Sequence, residues 1–147
     1  MLTESEVIGS VCDFLKVHGF RVTRQLCEIE HGIDIEALAP DGQRVSIEAK
    51  GETSSKAYSN RYGKAFTGSQ TLDHVSKALY CAARDCPDRL AGIALPHNTA
   101  HLNCIEKILP ALRTLQIEVF WVLADRSVEI QRIWKIWSQV ITTEQSD

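Results

Sequence analysis

HGIDIEALAPDGQRVSIEAKG, residues 31–51, decides the reading of the chain. Its centre is Pro40-Asp41-Gly42, a strong turn signal with the glycine placed to take up a positive φ. The apolar residues on either side alternate, so residues 33–39 and 44–49 read as two strands of one hairpin. A three-residue turn sets Ala39 opposite Gln43. Counting back sets Asp34 opposite Glu48, and Gly32 opposite Lys50. Cross-strand partners share a face, and residues two apart on a strand share it too. Asp34, Glu48 and Lys50 are therefore expected on one surface, with a residue lacking a side chain beside the lysine.

Other readings of these residues are less specific. Glu-x-Lys on an amphipathic strand is common and usually marks a solvated face with weak ion pairs. Asp34 is less ordinary, because Asp is disfavoured in strands and this one lies between Ile33 and Ile35. Two facing carboxylates suit a hard divalent cation such as Mg²⁺, with Mn²⁺ able to substitute and the Ala49 carbonyl as a further oxygen ligand. Such a metal acidifies water and neutralises phosphoryl oxygens. A lysine alongside can bind a phosphate or help take up the water's proton.

The flanking sequence sets the architecture. Residues 3–18 read as a helix, with Thr3 and Glu6 in a capping-box pattern and Gly19 as the stop. Residues 20–30 are strand-like. Residues 69–84 form a second helix with Leu72, Val75, Leu79 and Ala83 on its inner stripe. Residues 90–95 are a buried strand. A third helix starts near Asn98, with Leu102, Ile105, Leu109 and Leu112 inward and Pro110 expected to kink or interrupt it. Residues 117–123 and 128–133 are the last strands. The order is α-β-β-β-α-β, then α-β-β: a single domain over 1–147, of α/β class, with helices packed on a mixed sheet.

The motif and the element order together resemble the PD-(D/E)xK superfamily, which includes restriction endonucleases and Holliday-junction resolvases. The resemblance covers about residues 3–96. It implies a restriction-endonuclease-like αβββαβ core, with Asp34 as the first acid, Glu48 as the second and Lys50 as the lysine. It also implies Mg²⁺-dependent hydrolysis of phosphodiesters, leaving a 5′-phosphate and a 3′-hydroxyl. Ile33 stands where the family's name has proline. Some relatives supply an acid from the first helix, which draws attention to Glu6, although its capping role already explains it. Others carry a functional polar residue on the second helix. There Gln70 is as well explained by helix-start chemistry as by catalysis, and His74, one turn on, reads as a surface histidine. Glu36 shares the face of Asp34.

The segment 51–68 is long and polar, leaves the sheet beside Lys50, and carries Lys56, Arg61 and Lys64 against the single acid Glu52, interleaved with Tyr58, Tyr62 and Phe66. Cations and aromatics together suit phosphate contact and base stacking, so Lys56, Arg61, Tyr62 and Lys64 are the expected substrate contacts. DNA is the favoured partner. The net charge of -3 argues against a general DNA-coating protein and keeps a rival open: the same fold as a non-catalytic binding module. A nuclease working inside a larger defence or mobile-element assembly is a third reading.

The remaining features are negative or concern assembly. Five cysteines show no CxxC pair or zinc spacing, and their odd number suits a reduced chain. The start lacks the pattern of a signal peptide, and no apolar run reaches membrane-spanning length. A cytoplasmic location is the expectation. The apolar tail, with Trp134, Ile136, Trp137, Val140 and Ile141, offers either a homodimer interface or a helix folded onto its own sheet.

Overall fold

A computed structural model describes residues 1–26, 31–54, 58, 60 and 62–145. Ten elements follow in order: α1 (Glu4–Val17), β1 (Arg21–Gln25), β2 (Ile35–Leu38), β3 (Arg44–Ala49), α2 (Gly68–Asp85), β4 (Leu90–Pro96), α3 (Thr99–Leu115), β5 (Glu118–Val122), β6 (Val128–Ile130) and α4 (Trp137–Gln145). The six strands form one sheet in sequence order. β1, β2 and β3 pair antiparallel. β3–β4 and β4–β5 are parallel, each joined by a helical crossover, and β6 returns antiparallel to β5. This is the mixed α/β sheet flanked by helices that the hydrophobic patterning predicts.

The two faces of the sheet bury separate cores. Ile35, Ala37, Val45, Ile47 and Phe120 meet α1 and the aromatic tail. Ala91, Ile93, Leu95, Val119 and Trp121 meet α2 and α3. Alternation along each strand does the sorting. On α2 the inner stripe is Thr71, Val75, Ala78 and Ala82; of the expected residues Val75 is buried and Leu79 packs against the same core, while Leu72 and Ala83 are exposed. On α3, His101, Ile105 and Leu112 are inward. That helix runs unbroken through Pro110, whose exposed position leaves the carbonyl it cannot bond within reach of water.

At the end of the chain one expectation is corrected and one alternative is decided. The last strand stops at Ile130, short of 133: the backbone turns at Arg132, with φ +60°, and the buried Glu118 carboxylate takes up the N–H groups of Ile133 and Trp134 at 2.7 and 3.1 Å. The tail is not an open interface either. Trp134, Ile136 and Trp137 are buried in the α1-side core, and the two indoles stack with ring centroids 5.6 Å apart. Of the two readings of the tail, the structure shows the one in which it folds onto its own sheet, with Val140 and Ile141 half-buried against the same core.

Candidate active site

The hairpin carries the expected register. Ile35 pairs with Ile47, Glu36 with Ser46, Ala37 with Val45 and Leu38 with Arg44, and the Ala39 N–H closes the turn onto the Gln43 carbonyl at 2.9 Å. Gly42 adopts φ +90° there. Extending this register brings Asp34 opposite Glu48. Asp34 lies one residue before β2, and its carbonyl still accepts the Leu26 N–H at 2.9 Å.

Asp34 is buried, and its Oδ2 accepts the Ala49 N–H at 2.8 Å. The carboxylate therefore takes the place of a ladder partner where the two strands part. The next N–H along, that of Lys50, turns the other way, to the Ala94 carbonyl at 3.0 Å. Since N–H and C=O of one strand residue share a side, the Ala49 carbonyl faces the Asp34 side. Lys50 Nζ donates to Glu48 Oε1 at 3.2 Å, with both side chains largely shielded from solvent.

The electrostatics follow from this crowding. Burial raises the pKa of Asp34 despite the Ala49 hydrogen bond that opposes it. Burial also raises that of Glu48, and the neighbouring Asp34 charge raises it further. The two carboxyl groups are near enough to act on each other's ionisation. Burial pulls the Lys50 pKa down, but Glu48, Glu4 and Asp34 together outweigh it and leave the ammonium harder to deprotonate than usual. Like charges forced together out of water have this effect, and a bound cation would relieve it.

Glu4 was not legible as a site residue. It sits in the first turn of α1, close enough to act on both Asp34 and Lys50. Gly51 makes the approach possible: a Cβ there would lie 2.5 Å from the Glu4 nitrogen. The next residue, Glu52, fastens the contact. Its carboxylate accepts the Leu2 N–H at 2.7 Å and the Asn98 side-chain amide at 2.7 Å. A glycine directly after the lysine was the available signal.

The remaining candidates separate. Glu6 completes the capping box with Thr3 and pairs with Arg126 at 2.7 Å. Glu36 pairs with Arg89 at 3.0 Å. Gln70 closes a second capping box, its Oε1 accepting the Thr67 N–H at 2.8 Å, which is the helix-start role its position suggests. His74 packs edge-on against Phe66. Tyr58, Tyr62 and Lys64 are exposed. The loop base is tied by a Ser54–Tyr62 bridge and by the Phe66 N–H on the Glu52 carbonyl at 3.0 Å. Lys56 and Arg61 lie outside the described residues.

Among the described residues no three His, Cys, Asp or Glu side chains converge tightly enough to hold a metal ion by themselves. Asp34 and Glu48 with the Ala49 carbonyl make a partial oxygen set. That matches Mg²⁺, which binds through one or two carboxylates and keeps several waters or substrate oxygens.

No family model matches the chain, and no curated protein matches it. A solved structure with some likeness is SfsA of Pyrococcus furiosus in complex with Ca²⁺, at a TM-score of 0.34 and 13% identity. The likeness covers 83% of this chain and 58% of that one, so the chain spans less than two thirds of that protein's length. Similarity at this level establishes neither a common fold nor a common activity.

Proposed function

We propose that this protein is a metal-dependent nuclease that hydrolyses phosphodiester bonds in DNA. The observation that carries the reading is the buried Asp34–Glu48 carboxyl pair beside the Lys50 ammonium, with Glu4 nearby. The resemblance of residues 31–51 to the PD-(D/E)xK motif supports it, as does the run α1-β1-β2-β3-α2-β4 in that superfamily's order. Among the described residues no helix is long and apolar enough to cross a membrane.

In this reading Asp34, Glu48 and the Ala49 carbonyl hold Mg²⁺, or Mn²⁺ in its place. The ion supplies an acidified water and neutralises charge on the phosphoryl group. The chain's own residues do the rest. The Ala49 N–H fixes the orientation of Asp34. Lys50 stays protonated and acts as a fixed positive charge for the phosphoryl oxygens, which favours that role over proton acceptance. Gly51 and Glu52 hold the start of α1, and with it Glu4, against the site. Tyr62 and Lys64 lie on the loop that leaves the site and contact the substrate.

Incubation with single-stranded, duplex and branched DNA, and with RNA, in Mg²⁺, Mn²⁺ or EDTA tests this. Cleavage is expected with either metal and not in EDTA. Glu48→Ala should lower it on the order of a thousandfold. Calorimetry should show Mn²⁺ binding by the wild type and none by the Asp34→Ala, Glu48→Ala double variant. Equal binding by both proteins would remove the site, and metal binding without cleavage of any polymer would leave a binding module.

A further inference from the structure

The sheet face that bears Asp34 and Glu48 extends past the cover of α2. That helix packs on β3 and β4, while β1 is the edge strand beyond β2. What β1 presents on this face is set by a fault in its pairing. Arg21 lies opposite Leu38, and Val22 opposite Ala37, whose side chain is in the α1-side core. In a regular strand Arg24 would follow Val22 to that core face. The register instead shifts between Val22 and Arg24, and Arg24 pairs with Glu36. One extra residue re-aims the side chain, a use of bulges that recurs beside active sites. Arg21 and Arg24 thereby share the face of Leu38, Glu36 and Asp34.

Both arginines are exposed. Glu36, the carboxylate opposite Arg24, is already paired with Arg89 at 3.0 Å. Among the described residues no carboxylate lies within ion-pair distance of either Arg21 or Arg24. The Arg24 guanidinium leans toward the site end of the strand. Its Nη2 donates a long bond to the His31 carbonyl at 3.5 Å and lies 3.6 Å from where a Cβ on Gly32 would be. Gly32 is two residues from Asp34. Two exposed guanidiniums in line with a cation-seeking site, with no carboxylate partner among the described residues, are placed for an anionic polymer.

We propose that Arg21 and Arg24 form a track for the sugar–phosphate backbone of the substrate, gripping phosphates on the β1 side of the bond to be cut. The proposal rests on the nuclease reading of the Asp34, Glu48 and Lys50 site, and it names the part of the chain that orients the strand across it. Guanidinium forks suit this task, since they engage phosphate oxygens in pairs. Edge-strand arginines also deter pairing with other chains, but arginines serving only that end would not alter nucleic-acid binding.

The test is fluorescence anisotropy with a labelled DNA duplex, and with single-stranded DNA and RNA of the same sequence, in Ca²⁺ across a range of KCl. Wild type, Arg21→Ala, Arg24→Ala, the double variant and Arg113→Ala are compared. Arg113 is a charge-matched control in the exposed last turn of α3. On the polymer the wild type binds best, each single variant should bind more weakly and flatten the log–log salt slope by about one unit, and the double variant by about two. The control should match the wild type. A methylphosphonate replacing one phosphate beside the cleaved bond should weaken the wild type and leave Arg24→Ala little changed. A double variant that keeps wild-type affinity and slope while the wild type binds and cleaves would overturn the track and leave the nuclease standing. A wild type that neither binds nor cleaves any of the polymers would overturn both.

Discussion

Among the described residues two buried carboxylate sites stand out, and they are opposites. Glu118, on β5, is fully buried. Its Oε1 accepts the N–H groups of Val119 and Gln131 at 2.9 and 3.0 Å. Its Oε2 accepts those of Ile133 and Trp134 at 2.7 and 3.1 Å and the Trp137 indole N–H at 2.6 Å. Every donor is neutral and fixed. Asp34 is almost as buried, yet it has one backbone donor and faces a second carboxyl group. A carboxylate ringed by N–H groups has what it needs from the fold and serves the fold. One pressed against another carboxylate lacks a counter-charge that the chain supplies only in part, through Lys50. Depth of burial therefore does not tell an acid satisfied by the fold from one left in need of a counter-charge; the character of the neighbours does.

The largest effect that would break this contrast is on stability at Glu118. Glu118→Gln replaces one acceptor oxygen with an NH₂ group that must face the backbone donors around it. Loss of about 4 kcal/mol in urea unfolding is expected, together with a changed tryptophan fluorescence, since Trp134 and Trp137 hang from this carboxylate. A loss below about 1 kcal/mol would mean that the tail is held by its aromatic packing alone.

This contrast also explains what the sequence could and could not disclose. The pairing of Asp34 with Glu48 was legible because the turn at 40–42 fixes register by counting, and alternation then fixes the face. The element order was legible from hydrophobic periodicity. Glu118 gave no signal, because four of its five donors come from residues 13 to 19 positions later in the chain, and the burial of the tail follows from that capture. The face of Arg24 was not legible, because a bulge breaks the alternation on which such reading rests. Gln70 carried two meanings, and the second capping box supplies the helix-start one. Glu4 reaches the site through a close backbone approach at Gly51, which no pattern of polarity records.

His101 is an intermediate case and predicts an effect somewhat smaller than that at Glu118. It is buried at the start of α3, and the Asn98 Oδ1 stands 2.9 Å from its Nδ1. Because Asn98 turns its amide N–H to Glu52, the His101 proton belongs on Nδ1. The Nε2 atom has no partner among the described residues. Burial lowers the pKa from 6.5 to about 4; the Glu52 charge opposes this, and His74 adds to it. Between those values the unfolded chain takes up a proton that the folded one refuses. Stability should therefore fall as pH drops from about 6.5 to about 4, by about 3 kcal/mol from this residue. In urea unfolding across that range, His101→Gln should show a distinctly shallower acid slope, whatever its baseline stability. An unchanged slope would show that the ring finds a partner when protonated.

The smallest effect is the most diagnostic, because its sign should be opposite to that at Glu118. In EDTA, Asp34→Asn keeps an oxygen to accept the Ala49 N–H. Its NH₂ group can donate to Glu48, standing in permanently for the proton the two acids would share, and Lys50 keeps its partner. The folded pKa values of Asp34 and Glu48 are both raised, so in the window above the ordinary carboxylate range the folded state binds more protons than the unfolded one. Wild-type stability should accordingly decline as pH rises through that window. The variant should lack most of this decline and be more stable at neutral pH by on the order of 1 kcal/mol, with the difference vanishing toward acid where the wild-type pair is protonated. Added Mn²⁺ should reverse the ranking, since only the wild type gains the binding free energy of the ion. Thermal unfolding at acid and neutral pH, with and without Mn²⁺, reads all of these signs at once. An Asp34→Asn protein that is destabilised in EDTA, as Glu118→Gln is expected to be, would place Asp34 with the structural acids and dissolve the contrast.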